Sequence, residues 1–189
     1  MNATSPSYLK HHFLIAMPHM VDPNFAQALI YVVDHTPEGA MGLIVNRPSG
    51  LTLTDVLEQL RPDDPITGIS QQLDILTGGP VQTDRGFVLH PPGSQFQATL
   101  DLGSLGMTTS QDVLFAIADG HGPKQHLVAL GYAGWEAGQL EAELVGNVWL
   151  SCPAQLDILF DLPFELRLSA AAASLGVDLN LLSSQVGHA

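Results

Sequence analysis

Three stretches of this 189-residue chain carry side chains able to do chemistry. Asn46-Arg47-Pro48 follows a short apolar run, which puts an amide and a forked guanidinium at a strand end. Together they could grip a carboxylate or a phosphate. The plainer reading is a strand-terminating turn whose arginine pairs with one of 19 acidic residues. Arg85-Gly86-Phe87-Val88-Leu89-His90 alternates in polarity and sets Phe87 and Leu89 on one face. Arg85 and His90 then bracket a strand, either as a polar rim or as ordinary strand ends. Cys152 lies in Trp149-Leu150-Ser151-Cys152-Pro153 and is the single cysteine. At a helix N-terminus it would be a reactive thiol. Beside Trp and Leu it would be a small buried hydrophobe, and acidic neighbours oppose a thiolate.

Familiar catalytic signatures are missing. No Lys-Ser/Thr follows Gly78-Gly79-Pro80, and Gly120-His121-Gly122-Pro123 lacks the dinucleotide-binding spacing. There is no nucleophile elbow and no His-Glu-x-x-His. His11, His12, His19, His35, His90, His121, His126 and His188 show no ligand spacing, and one cysteine cannot close a thiolate zinc site. The expectation is no metal and no cofactor.

The composition narrows the setting. With 46% hydrophobic residues and a mean hydropathy of +0.20, the chain can bury a full core. Its 19 acids against 6 Lys and Arg give a net charge of −13, which repels a phosphate backbone. The apolar runs Phe13–Met17, Ala28–Val33 and Met41–Val45 fall far short of the ~20 residues that span a bilayer. Lys10-His11-His12 precedes only a five-residue run, too short for the ~7–15-residue core of a signal peptide. A lone cysteine suits a reducing compartment, so the expected address is cytoplasmic. Low charge density and apolar composition leave room for a dimer.

These residues need elements to hold them. Phe13–Met17, Ala28–Val33 and Met41–Val45 read as strands, the last two joined by a hairpin at Thr36-Pro37-Glu38-Gly39. Leu53, Val56, Leu57 and Leu60 define a helical face behind a Thr52/Asp55 capping box. Ile75–Thr77, Gly86–His90, Ala98–Leu102 and His126–Tyr132 read as further strands. A helix is expected over Ser110–Asp119, capped by Thr109 and Asp112 and ended by Gly120, and another over Trp135–Gly146. The last helix has Pro163 near its first turn, sets Phe164, Leu168, Ala171, Ala172 and Leu175 on one face, and stops at Gly176. Strands gather early and helices late, without βαβ alternation, which predicts an α+β fold. Residues 1–11 read as an N-terminal extension, 12–182 as a single domain, and 183–189 as a C-terminal tail.

Several segments together resemble the AlgH/YqgE family. They are Phe13–Met20 with Asp22-Pro23-Asn24-Phe25, Gly39–Pro48, Gly78–Val81 with Arg85–His90, Ala129–Leu150, and the closing Gly187-His188-Ala189. The resemblance implies a single mixed α/β domain, with a branched mixed sheet partly rolled into a small barrel and helices packed around it. It brings no reaction and no cofactor, and the AlgH name implies a regulatory role in alginate biosynthesis. It makes Asn46, Arg47, Gly78, Gly79, Pro80, Arg85, His90, Tyr132, Trp135, Gln139, Glu141, Asn147 and Trp149 the family-motif positions. Leu168 stands where the family pattern leads one to expect Trp. On a helix, Gln139 would share a stripe with Trp135 and Glu143, and Glu141 would lie off it.

The functional expectation is a non-catalytic binding or regulatory module acting through a protein partner or a small anionic ligand. Its binding residues would be Asn46, Arg47, Arg85, His90, Tyr132, Trp135, Gln139, Glu141 and Asn147, with a groove near Asn46, Arg47, Arg85 and Trp135. The alternative is an enzyme using His90 or Glu141 as acid/base, or Cys152 as nucleophile. A third reading, a direct DNA-binding regulator, conflicts with six scattered basic residues and no basic recognition helix.

Overall fold

The apolar runs are uninterrupted because the strands they form are buried on both faces. The computed structural model describes residues 8–64 and 73–186. In β1 (His12–Ala16), Phe13 and Ile15 enter one core while Leu14 and Ala16 enter a second on the opposite face. In β2 (Leu29–Thr36), Leu29, Tyr31 and Val33 take the first side, and Ile30 and Val32 the other. The expected hairpin leads into β3 (Gly39–Ile44), with Thr36 opposite Gly39. A Cβ on Gly39, at φ +142°, would sit 2.4 Å from the Trp135 carbonyl oxygen.

The chain continues through β4 (Pro48–Thr52), α1 (Leu53–Leu60), β5 (Asp74–Thr77), β6 (Val81–His90), β7 (Thr99–Asp101) and β8 (Gly106–Thr108). It then forms α2 (Asp112–Ala118), β9 (Leu127–Glu136), α3 (Gln139–Val145) and β10 (Trp149–Pro153), and ends with α4 (Leu156–Phe160), α5 (Phe164–Ser174) and α6 (Leu179–Val186). The sheet runs β10-β1-β2-β3-β9-β6-β8-β7, with β5 also on β9 and β4 on β5. The branch point is β9. Its first half pairs parallel with β5 and antiparallel with β6, and its second half pairs antiparallel with β3. This is the α+β class with a branched mixed sheet, curled into a half-barrel.

Helices close three cores. Ile158 and Leu159 of α4 with Ala171 and Ala172 of α5 cover the first, and Leu140 of α3 covers the second. Leu53 and Leu57 of α1 pack with Val113, Leu114 and Ile117 of α2 on Ile75, Val88 and Val128 in the third. The Thr52/Asp55 capping box forms as the sequence predicts. Gly120 and Gly176 end α2 and α5 in left-handed geometry, each followed by the bond pair of a Schellman turn.

Several expectations need correction. Trp135 is in β9, not in a helix over Trp135–Gly146: the strand runs on to Glu136, and α3 starts only after Gly138 at φ +77°. Thr109 does not cap α2; Gln111 holds the N-cap position, and Asp112 instead accepts the Gln97 and Val113 N–H groups. Ala98–Leu102 shrinks to β7. The short strands β4, β8 and β10 and the helices α4 and α6 lack sequence signals strong enough to predict them. Leu9, assigned to the extension, is buried in the second core, and α6 runs through the start of the expected tail. Gly187-His188-Ala189 lies outside the described residues.

Candidate functional site

Asn46 and Arg47 leave the end of β3 and turn toward the segment between β1 and β2. The Asn46 carboxamide accepts the Leu29 N–H at 2.8 Å and donates to the Gln27 carbonyl at 2.9 Å, where Gln27 sits at φ +58°. The Arg47 fork donates to two carbonyls of that segment, Asn24 through Nη1 and Ala26 through Nη2, the latter at 2.7 Å. The guanidinium therefore grips backbone, not an acidic side chain. Opposite, Arg167 on α5 donates to the Val45 carbonyl at 2.5 Å and the Leu162 carbonyl at 3.1 Å. Burial lowers its pKa from the usual arginine value, with Glu165 opposing that shift.

The second core holds the aromatic motif residues. Trp135 and Trp149 both donate indole N–H to Glu143 Oε2, at 2.9 and 2.8 Å, and Gln139 donates to Oε1 at 3.1 Å. Phe25 packs on both rings, stacked with Trp135 and edge-on to Trp149. Glu143 thus joins α3 to β9 and β10 and seats the Phe25 loop. The sequence places Glu143 on a stripe with Gln139, and that bond forms; the two indoles arrive through tertiary packing.

Glu141 faces elsewhere. Its Oε1 lies 2.8 Å from Nε2 of buried His35, whose Nδ1 accepts the Leu9 N–H at 2.9 Å. Its own backbone N–H, and then the His35 ring, hold the Glu141 carboxyl below its ordinary pKa against desolvation. His35 has no motif signal, since its partner is 106 residues away. Asn147, at φ +55°, is the left-handed residue that ends α3, with Asn147 and Val148 N–H bonding the Leu144 and Glu143 carbonyls.

The remaining motif residues do not join this group. His90 is 0% exposed, donates from Nδ1 to the Pro91 carbonyl at 2.9 Å and accepts from Thr108 at 2.8 Å. Arg85 is exposed near Gln82 and over the Phe87 ring. Tyr132 packs edge-on against Phe87 beside the first core. Cys152 lies in β10 at 2% exposure, and desolvation raises its thiol pKa against a bond with Ser174. It is a core residue, held in the neutral thiol form. The Gly78-Gly79 pair serves close backbone approach: a Cβ on Gly79 would lie 2.1 Å from the Tyr132 carbonyl carbon. Among the described residues, no group of three or more His, Cys, Asp or Glu is placed to hold a metal, and no helix is long and apolar enough to cross a membrane.

The open space lies on the outer side of the Phe25 loop. Between that loop and α5–α6 is a cavity of about 730 Å³, lined by Met17, Met20, Leu168, Ala173, Val177 and Leu179, with Glu165, Ser169, Asp178 and Asn180 adding polar groups. Ala26, Gln27, Glu165 and Leu168 also line a second cavity of about 260 Å³, which reaches Asn46, Arg47 and Phe164. The two cavities adjoin across these shared residues and together make up the groove. Asn46 and Arg47 hold the Gln27 and Ala26 carbonyls of one wall and themselves line the smaller cavity, and Arg167 ties α5 to the end of β3.

Comparison with known proteins bears on this architecture. A family model described as AlgH-like matches residues 13–180. The chain belongs to the AlgH-like family. It is 77% identical to a UPF0301 protein of Stutzerimonas stutzeri over 100% of both chains, and 68% identical to the UPF0301 protein AlgH of Pseudomonas aeruginosa, again over 100% of both. The solution structure of AlgH from Pseudomonas aeruginosa superposes with a TM-score of 0.82 at 68% identity, covering 100% of each chain. A crystal structure from Corynebacterium diphtheriae shares the fold at 19% identity, with a TM-score of 0.72 over 97% of this chain and 94% of that one. Leu168 lines both cavities of the groove.

Proposed function

We propose that this AlgH-like chain is a cytoplasmic, non-catalytic binding module that receives a basic amphipathic segment of a partner protein in the α5–α6 groove. The groove itself carries the reading: about 730 Å³ of open space with an apolar floor and carboxylates at Glu165 and Asp178. Such a surface accepts apolar anchors at helical spacing together with Lys or Arg heads. Exposed Val21, at 92%, follows the lining residue Met20, and exposed Leu181, at 66%, lies on α6 with the lining residues Leu179 and Asn180, so apolar surface is exposed on both elements that form the walls. The net charge of −13 favours a cationic occupant over a second copy of the chain. A small anion has less support, because both Nη atoms of Arg47 already donate to carbonyls.

The test is site-specific photocrosslinking in cells from position 169, which lines the groove and is exposed, with position 101 on β7 as control. The expected result is one partner joined only from position 169, through a Lys- or Arg-bearing amphipathic segment, and lost when Ala173→Trp fills the groove. Identical crosslinks from both positions, or partners indifferent to Ala173→Trp, would sink the proposal.

A further inference from the structure

His35 has a hydrogen-bond arrangement that fixes where its proton sits. Nδ1 accepts the Leu9 backbone N–H at 2.9 Å, so that nitrogen must present its lone pair. The proton of the neutral ring is therefore on Nε2, donated to Glu141 Oε1 at 2.8 Å. Both ring nitrogens are used, and the residue is 4% exposed. Tyr8 stands edge-on to the imidazole, with centroids 5.2 Å apart. Among the described residues, the titratable side chains recorded against the ring are Glu141 from α3 and Tyr8 from the entering chain. On its own strand, Asp34 is exposed and its Oδ1 accepts the His35 N–H at 3.0 Å. The partner across β3 is Ala40, which carries no charge.

We infer that His35 is a proton-operated latch for the N-terminal segment: residues 8 and 9 dock while Nδ1 is unprotonated and are released when it gains a proton. A hydrogen on Nδ1 would point at the Leu9 N–H, donor against donor. The Nε2–H bond to Glu141 is compatible with either state, and a charged ring strengthens it. Protonation therefore severs one side of the chain Leu9–His35–Glu141 and preserves the other. The docked state binds one proton fewer than the released state, so docking strengthens as pH rises. Release exposes Leu9, which is buried in the second core, and leaves α3 in place through Glu141 and Glu143.

Two NMR observations on the full-length protein test this. The long-range ¹⁵N spectrum of the His35 ring should show the Nε2–H tautomer at neutral pH. After correction for intrinsic exchange, protection of the Leu9 amide should fall by up to about tenfold per pH unit on acidification, while that of Ile30 stays level. His35→Asn places a non-titrating carboxamide oxygen near the Nδ1 position, and it should remove the pH dependence. An Nδ1–H tautomer, a pH-independent Leu9 amide, or an unchanged slope in His35→Asn would each overturn the latch. Should His35→Asn not fold, the tautomer and the wild-type slope decide alone.

Discussion

The Phe25 loop separates two regions that use it in opposite ways. On its inner side Phe25 meets Trp135 and Trp149, and the polar atoms there converge on Glu143. On its outer side Met17 and Met20 line an open groove. The inner region is closed, and among the described residues no buried side-chain polar atom lacks a partner. Most residues whose types look chemical are occupied there or close by: Asn46 and Arg47 hold carbonyls, Gln139 and Trp135 hold Glu143, and Asn147 ends a helix. The outer region is lined by small and apolar side chains, a few neutral polar ones, and the carboxylates of Glu165 and Asp178, neither of which belongs to a motif read from the sequence. A polar side chain beside a strand end is as useful for fixing a loop as for holding a ligand, and Asn46 and Arg47 are engaged in the first use.

The sharpest way to break this comparison is Glu143→Ala. It strands two buried indole N–H groups at about 1–3 kcal/mol each, so urea unfolding should show a loss of roughly 2–6 kcal/mol. A loss under about 1 kcal/mol would mean that water or another acceptor replaces the carboxylate, and that the inner region is less closed than described.

Arg47→Ala tests the link between the regions. Stability should fall by roughly 1–3 kcal/mol as the Asn24 and Ala26 carbonyls lose their charged donor, and crosslinking from position 169 should weaken with it. Weakened crosslinking at unchanged stability would instead make Arg47 a direct ligand-binding residue.

A smaller effect lies at high pH. Burial pushes the Tyr31 hydroxyl up to about 12 and raises the Cys152 thiol. Both groups stabilise the fold in their neutral forms. Their contribution is complete below the ordinary pKa values of 9.0 for Cys and 10.0 for Tyr, and it is lost as pH climbs through the raised ones. Denaturation midpoints should therefore fall from about pH 9 upward, and Tyr31→Phe should flatten the upper part of that limb. The smallest expected change is the stability of Ala173→Trp, within about 0.5 kcal/mol of wild type because the site is exposed, while partner crosslinking disappears. If Ala173→Trp destabilises the protein strongly, the groove is core and not surface.

The sequence alone determined what depends on neighbours along the chain. Uninterrupted apolar runs specified strands buried on both faces, Thr52 and Asp55 specified the start of α1, and Gly120 and Gly176 specified helix ends. The ordered motifs specified the family. Local signals failed where a residue's state depends on remote backbone: Trp135 has helical neighbours in sequence, yet pairing with Ala40 of β3 keeps it extended. Only the tertiary structure decided which side chains meet. His35 and Glu141 are 106 residues apart, and Arg167 and Val45 are separated by 122. The groove belongs wholly to this second category. Its walls come from the β1–β2 connection and the C-terminal helices, and nothing in either segment encodes the space left between them. Burial and hydrogen bonding act on atoms brought together by the whole fold, so a surface made from the gap between elements has no sequence signature of its own.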